Sequence, residues 1–287
     1  MNSAKLFIGD NRESLRKIPE KSVQVVVTSP PYWGLRDYGM DGQIGLEQSP
    51  SDFVEELCTV FDEVWRVLKD DGTVWLNIGD SYASMRDSKV TPDSLRNGDG
   101  TKVAQGAANR NPKVLKEAGL KHKDLVGIPW RVAFALQARG WHLRSDVIWS
   151  KPNPMPESVT DRPTKSHEHI FLLTKFPKYY YNHEAIKEPS VTGDGTLKNK
   201  RDVWSVQTKA YKGAHFAVYP LELVEPCVLA GSREGDVVLD PFSGSGTTGV
   251  VALEHKRHYI GLELNPEYAK LSVDRIKETT GVDVETE

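Results

Sequence analysis

The chain has 287 residues, of which 38% are hydrophobic and 27% charged, and it carries a formal net charge of −3. Such a chain is long enough to bury a full core. Its slightly negative net charge excludes a polycation that binds polyanions non-specifically over its whole surface. No apolar run approaches the length of a membrane span, and no signal-peptide core follows Met1, so we expect a cytoplasmic protein.

Strands are predicted where short apolar runs end in turn residues, and helices where apolar residues recur every three or four positions. The predicted elements begin with strands at 5–10 and 23–28, a helical turn at 14–19, a helix at 53–68, a strand at 73–79, a helix at 125–139 and strands at 145–149 and 168–173. They continue with a helix at 220–230, a strand at 236–240, a helix at 247–254, a strand at 259–263 and a helix from 265 to 277. This alternation predicts an α/β fold with a mostly parallel central sheet and helices on both faces.

Two polar segments without apolar periodicity interrupt these elements. Residues 81–123 carry a net charge of +5 and residues 175–213 a net charge of +4, whereas residues 232–287 carry −5. We therefore expect a single domain over 1–287 with a mobile insertion at 81–123. Two basic segments on an acidic body favour a localised surface for a polyanion, and solvated loops are the alternative.

The corner after the strand at 23–28 has the composition of a small-molecule site. Its sequence is Ser29-Pro30-Pro31-Tyr32, and proline cannot donate to a sheet ladder, so the strand must end there. The carbonyls of Ser29 and Pro30 stay free to accept hydrogen bonds, Ser29 adds a hydroxyl, and Tyr32 adds a flat ring. These groups suit a planar ring that bears an amine, such as a nucleobase, although a proline turn that merely stops a strand is the alternative.

A second candidate site follows the strand at 236–240. Residues 244–249 give the pattern G-x-G-x-x-G between a strand and a helix, and Glu263 ends the next strand, where an acid can bind a ribose diol. No lysine follows the last glycine, so the turn is not a phosphate-binding P-loop. The pattern predicts a nucleoside-bearing cofactor, and both a dinucleotide and S-adenosylmethionine fit it.

Other reactive side chains point to structural roles. Cys58 and Cys227 lie in apolar helical patterns and are expected to be reduced core residues. His167-Glu168-His169 opens an apolar strand and favours a structural or orienting role over metal binding. No metal-ligand spacing is present, so we expect no metal site.

The two candidate sites together carry a resemblance. V-T-S-P-P-Y followed by D-P-F-S-G-S-G-T-T resembles the β group of DNA amino-methyltransferases, in which the S-P-P-Y or D-P-P-Y motif precedes the cofactor motif. The resemblance covers nearly the whole chain, including W-S-K-P-N-P-M-P and R-P-T-K-S-H-E-H-I-F. It implies a Rossmann-like S-adenosylmethionine methyltransferase fold with a circularly permuted motif order.

The resemblance also assigns site residues by their match to the family's motifs. The implied catalytic residues are Ser29, Pro30, Pro31 and Tyr32. The implied S-adenosylmethionine contacts are Asp10, Phe216, Asp240, Phe242, Gly244, Gly246, Thr247, Thr248 and Glu263. The expected DNA contacts are Trp33, Arg36, Lys151, Arg162, Lys198, Lys200 and Arg201, with target recognition at 175–213.

The activity that the resemblance implies is methyl transfer to the exocyclic amine of a base flipped out of double-stranded DNA. In this family T-S-P-P-Y is more often associated with cytosine N4 and D-P-P-Y with adenine N6, so N4 is favoured and N6 stays open. No cysteine lies near either motif, which argues against cytosine C5 chemistry. A nicotinamide-dependent oxidoreductase and an inactive DNA-binding module are the rivals, and a cognate restriction endonuclease and a homodimer stay open.

Overall fold

The computed structural model describes residues 2–83, 112–190, 195–209 and 219–287. Most of the insertion expected at 81–123 lies outside these ranges, as does Phe216. No helix in the described part of the chain is long and apolar enough to cross a bilayer.

The described strands form one large sheet and a small ribbon. The large sheet has the order β11-β1-β10-β9-β2-β3-β5-β4-β8, and the ribbon pairs β6 with β7. The strands are β1 (Ala4–Ile8), β2 (Val23–Thr28), β3 (Leu68–Ile78), β4 (His142–Ser150), β5 (His167–Thr174), β6 (Glu188–Pro189), β7 (Leu197–Lys198), β8 (Val203–Ser205), β9 (Val237–Asp240), β10 (His258–Glu263) and β11 (Val284–Thr286). β5 runs antiparallel to both of its neighbours, while the other pairs of the large sheet are parallel.

Helices cover both faces of this sheet. They are α1 (Asn11–Leu15), α2 (Pro50–Val67), α3 (Pro112–Glu117), α4 (Ile128–Ala138), α5 (Leu221–Gly231), α6 (Thr247–Glu254) and α7 (Pro266–Thr280). Strand residues alternate between the two sides: Val26 packs in the core that contains α2 and α4, while Val25 and Val27 pack in the core that contains α5 and α6. This double cover explains why β2 is buried along its whole length.

The mostly parallel α/β fold is confirmed, and the differences from the predicted elements have local causes. The helix at 50–67 begins before 53 because the Ser49 side chain accepts a hydrogen bond from the Asp52 N–H and Pro50 occupies the first turn. Strands β6, β7, β8 and β11 were not predicted. Each has only two or three residues, too few for any periodicity to appear in the sequence.

The strand order brings the two motif-bearing strands together. β2 and β9 are adjacent and parallel, with Val25 opposite Val238 and Val26 opposite Leu239. The corner after β2 and the glycine turn after β9 therefore leave the sheet at the same edge. This edge is the carboxyl end of the parallel strands, where open α/β sheets bind ligands.

Candidate active site

A cavity of about 290 Å³ lies at this edge of the sheet, and both motifs contribute to it. One end is lined by the corner that contains Ser29, Pro30, Pro31 and Tyr32. The other end is lined by the glycine turn and the residue that ends β10. Its lining there includes Asp10, Phe242, Gly244, Thr247 and Glu263. The two predicted sites are thus two ends of one cavity.

The glycine turn needs its glycines for backbone shape and close packing. Gly244 and Gly246 have φ values of +52° and +75°, a region that disfavours other residues. A Cβ on Gly246 would clash with the Ser272 hydroxyl oxygen of α7, so the position has no room for a side chain. The turn leads directly into α6, whose amino end favours a carboxylate or a phosphate.

Asp240 holds the turn in place from beneath. The side chain is fully buried, and its carboxylate accepts hydrogen bonds from Thr28, Thr248, Tyr219 and the backbone N–H of Phe242. Burial raises the pKa of this carboxyl, and the hydrogen bonds oppose that rise.

Asp240, Gly246 and Thr248, which the resemblance assigns to cofactor binding, lie behind the surface of the turn. All three are buried and lie outside the residues that line the cavity. Their hydrogen bonds and packing shape the turn from behind, because a fully buried carboxylate satisfied by four donors has no free face.

The end of the cavity at the glycine turn, where a cofactor is expected, is called the cofactor end. Two carboxylates line it where the neighbouring strands β1 and β10 end. Glu263 accepts hydrogen bonds from the backbone N–H groups of Gly244, at 2.8 Å, and Asn265, at 2.9 Å, and burial raises the pKa of its carboxyl. Asp10 is held by the Arg12 guanidinium, with nitrogen–oxygen distances of 2.9 and 2.5 Å. Burial raises the pKa of the Asp10 carboxyl, but the bonds from Arg12 outweigh it and keep that pKa below its ordinary value. Both groups can accept hydrogen bonds from ligand hydroxyls.

The end of the cavity at the corner that contains Ser29 and Tyr32, where a nucleobase is expected, is called the base end. Its side chains form a hydrogen-bonded network. The Ser29 hydroxyl lies 3.2 Å from Asn77 Oδ1, and the Tyr32 hydroxyl lies 3.3 Å from the same oxygen. Tyr32 also donates a 2.5 Å bond to Glu168 Oε2, which in turn accepts a bond from Asn77 Nδ2. Lys151 Nζ forms an ion pair with the other oxygen of Glu168. Residues of β3 and β5, and one residue that directly follows β4, thus support the corner that follows β2.

The ring of Tyr32 lies against bare backbone at Gly79. A Cβ on Gly79 would approach Tyr32 Cε2 to 2.6 Å, so glycine is what permits this ring position. Burial, and then the charge of Glu168, raise the pKa of the Tyr32 phenol well above its ordinary value. The phenol therefore stays neutral at physiological pH, with its hydroxyl anchored and its ring fixed beside Ser29.

Asn77 and Glu168 are site residues that sequence reasoning missed. Asn77 is a polar residue inside an apolar run, and Glu168 is a buried acid between two histidines at the start of β5; both signals could have marked them as residues facing a site. Glu168 faces the cavity, whereas on the opposite side of β5 His169 bonds to Asp146. The orienting role expected at 167–169 fits Glu168, and no cluster of metal-binding side chains occurs among the residues that the structure describes.

The expected DNA contacts occupy different positions. Trp33 is only 2% exposed, and its indole donates to the Glu47 carbonyl, so its assignment to the DNA surface was wrong. Lys151 lines the cavity, and its side chain is 17% exposed. Arg36 lines the cavity and Arg162 pairs with Glu157.

The basic residues near the ribbon lie at the surface around one carboxylate. Lys198 and Arg201 both pair with Glu188, at 3.7 and 2.7 Å, and the Lys200 ammonium lies 5.1 Å from the centre of the Trp204 ring. The same segment reaches the cavity farther along the chain, where Thr208 and Lys209 contribute to its wall. The structure therefore joins the basic segment to the rim of the candidate active site.

Comparison with known proteins agrees with this geometry. A family model described as DNA methylase matches residues 23–274. The chain is 54% identical over 277 residues to the type II methyltransferase M.Cfr9I of Citrobacter freundii, covering 96% of this chain and 89% of the relative. It is 52% identical, with the same coverage, to M.XycI of Xanthomonas campestris pv. cyanopsidis. Among solved structures, TTHA0409 of Thermus thermophilus, complexed with S-adenosyl-L-methionine, superimposes with a TM-score of 0.66 at 26% identity over 99% of both chains.

Proposed function

The chain belongs to the family of S-adenosylmethionine-dependent DNA amino-methyltransferases, and we propose that the amine it methylates is N4 of cytosine. The observation that carries the choice of base is the serine at the acceptor position of the corner. In this family T-S-P-P-Y is more often associated with cytosine N4 and D-P-P-Y with adenine N6. The Ser29 hydroxyl lies 3.2 Å from Asn77 Oδ1, so it can donate there and keep its lone pairs for the substrate amine. Family membership removes the oxidoreductase alternative.

The cofactor end fits S-adenosylmethionine. The glycine turn leaves no room for a side chain at Gly246, and Asp10 and Glu263 offer carboxylate oxygens at the ends of the adjacent strands β1 and β10. We assign the adenine side to Asp10 and the ribose hydroxyls to Glu263. When bound, the cofactor supplies an electrophilic methyl group on a sulfonium sulfur.

The base end makes a poor nucleophile effective by positioning. The lone pair of a ring amine is delocalised, and acceptance of its N–H bonds by the Ser29 hydroxyl and the Pro30 carbonyl localises that lone pair and aims it along the cavity. Extruding the base costs a few kcal/mol, and stacking on the anchored Tyr32 ring returns about 1–3 kcal/mol. The network of Asn77 and Glu168 fixes both groups before the base arrives.

DNA binding is assigned to the basic rim of the cavity. We propose that the segment 175–213 reads the target and that Lys198, Lys200 and Arg201 contact phosphates, with Arg162 as a further contact. Support comes from Arg201, whose side chain is 64% exposed beside the ribbon, and from Thr208 and Lys209 at the cavity wall. Protection of a sequence from a matching restriction endonuclease is the role we propose, because the relatives are named type II methyltransferases.

The test is the chemical identity of the methylated nucleoside. DNA from cells that express the full chain is digested to nucleosides and analysed by mass spectrometry, and long-read sequencing of the same DNA locates the modified sequence. We expect N4-methyldeoxycytidine, absent from cells that express the Ser29→Ala variant. N6-methyldeoxyadenosine in its place would contradict the choice of cytosine while leaving the amino-methyltransferase activity intact.

A further inference from the structure

A buried ion pair forms part of the base end of the cavity. Lys151 and Glu168 both line it, and their side chains are only 17% and 11% exposed. Taking two charges out of water is costly, and an apolar pair of the same size is often no less stable. Fold stability therefore gives no reason for this pair, and its location suggests a role in the site.

The pair is held in a fixed position. Glu168 uses one oxygen for Tyr32 and Asn77 and the other for Lys151. The Lys151 ammonium also lies 4.2 Å from the centre of the Trp149 ring, a distance at which the ring face attracts a cation. A flexible lysine side chain is thus confined to one place in the wall.

The confined ammonium has donors to spare. It carries three N–H groups, and within the described part of the chain the Glu168 carboxylate is its hydrogen-bond partner. Other donors of the lining are engaged: the Asn77 amide donates to Glu168 and to the His169 carbonyl. Arg36 interacts with Tyr38 and Tyr268, which belong to the cofactor end.

The edge of cytosine requires such a donor. Next to the N4 amine come the ring nitrogen N3 and the carbonyl O2, both acceptors, whereas adenine presents N1 and then a C–H group. Ser29 and Pro30 can satisfy the amine because they are acceptors, but they cannot satisfy O2. A buried acceptor left without a donor costs about 1–3 kcal/mol.

We propose that Lys151 is a specificity-determining residue whose ammonium donates a hydrogen bond to O2 of the flipped cytosine. Glu168 and Trp149 are the positioning residues that hold the ammonium at that place. Adenine offers no acceptor there, so one N–H group of the buried ammonium would be left without a partner, which disfavours adenine. This inference rests on the proposed function, because it requires cytosine to be the target.

The test combines two enzymes with two substrates. The substrates are duplexes that carry the sequence found by long-read sequencing, with the target either cytosine or a 2-aminopyridine C-nucleoside. In this neutral analogue carbon replaces N1 and hydrogen replaces O2, while the ring nitrogen equivalent to N3 and the amine remain. In both duplexes the target lies opposite an abasic site, so base pairing does not differ. Single-turnover methylation is measured for the unmodified chain and for Lys151→Met.

We expect the unmodified enzyme to lose about ten- to a hundredfold in rate on the analogue. Lys151→Met should lose a similar factor on cytosine and show no further loss on the analogue. Equal rates of the unmodified enzyme on both substrates, or losses that multiply in the variant, would overturn the proposal.

Two further variants separate this role from folding. Lys151→Met with Glu168→Gln removes both charges, so no unpaired carboxylate remains, and it should show the same insensitivity to O2. Lys256→Met is the matched control, because this exposed lysine lies just before β10, at the edge of the sheet opposite the cavity, and it should keep the full response to O2. Detection of N6-methyldeoxyadenosine would defeat the proposed function itself, whereas N4-methyldeoxycytidine without coupling to O2 would defeat only the role of Lys151.

Discussion

Thr28 Oγ1 donates a 2.6 Å hydrogen bond to Asp240 Oδ1, which joins the last residue of β2 to the last residue of β9. The two residues are 212 positions apart in the chain. Each is followed directly by one half of the active site. This buried bond therefore ties the base-binding corner to the cofactor-binding turn at the point where the two strands end.

Thr28→Val removes this hydrogen bond while keeping the shape of the side chain. We expect a loss of about 2 kcal/mol in the free energy of unfolding, because a buried carboxylate loses a donor. Chemical denaturation measures the loss, and calorimetry should show weaker S-adenosylmethionine binding, because Asp240 also holds the Phe242 N–H. Thr59→Val, at an exposed position of α2, is the control and should change neither quantity. Unchanged stability in Thr28→Val would show that the bond is not needed.

Ser29→Ala separates the base end from the cofactor end. We expect S-adenosylmethionine affinity to be retained and the methylation rate to fall by at least about a hundredfold, because the amine loses an acceptor. Calorimetry and single-turnover methylation measure the two effects. Equal losses in cofactor affinity and in methylation rate would show that Ser29 does not act specifically on the base.

Gly79→Ala tests the fixed position of the Tyr32 ring. The new methyl group would lie 2.6 Å from Tyr32 Cε2, so the ring must move. We expect a loss of roughly ten- to a hundredfold in methylation rate with unchanged cofactor affinity, since small misplacements in a site are costly. In a Tyr32→Ala background the same change should have little further effect. A full additional loss there would mean that Gly79 acts through another residue.

Cofactor affinity should fall on acidification at a pH above the ordinary range for a glutamate. Burial raises the pKa of the Glu263 carboxyl, so the group protonates early as the pH falls and loses acceptor capacity for the ribose hydroxyls. Affinity is therefore full above this raised pKa and is lost as the pH falls through it. Asp10 does not contribute in this window, because Arg12 holds its pKa low. Calorimetry between about pH 5 and pH 8 measures the effect, and Glu263→Gln should bind more weakly with a flatter pH profile.

Neutralising Lys198, Lys200 and Arg201 should weaken DNA binding and reduce its salt dependence. Each phosphate contact contributes about 0.9 to the slope of log affinity against log salt, so the triple alanine variant should lose up to about 3. Fluorescence anisotropy over a salt series measures the slope. Alanine at Lys256 and Lys270, two exposed lysines distant in sequence from the basic segment, provides the comparison. An unaltered salt slope in the triple variant would show that the ribbon is not part of the DNA interface.

The sequence was sufficient for the α/β class, most of the large elements and the two motifs, because these depend on local patterns. The β-branched run before Ser29 and the glycine pattern after Asp240 carry their own geometric consequences. The short strands could not be predicted, since two or three residues have no periodicity.

The support around the corner was also beyond sequence reasoning. Asn77 and Glu168 reach Tyr32 only because β5 inserts antiparallel between β3 and β4, a pairing that no local pattern specifies. Trp33 was misjudged for a related reason: an aromatic residue in a glycine-containing loop gives no sign of whether the loop folds back onto the core. Long-range pairing decided each of these positions.

The adjacency of β2 and β9 has a consequence for how new sequence preferences arise. One end of the cavity holds the methyl donor and the other holds the amine that receives the methyl group. The spacing between these two ends is set by the ladder of backbone hydrogen bonds between the strands, at about 4.8 Å per strand. The segment that we assign to reading DNA joins the large sheet only at the edge strand β8 and does not set that spacing. Such loops can be exchanged or lengthened between relatives while the chemistry keeps its alignment, so this scaffold can acquire a new target without rebuilding its reaction centre.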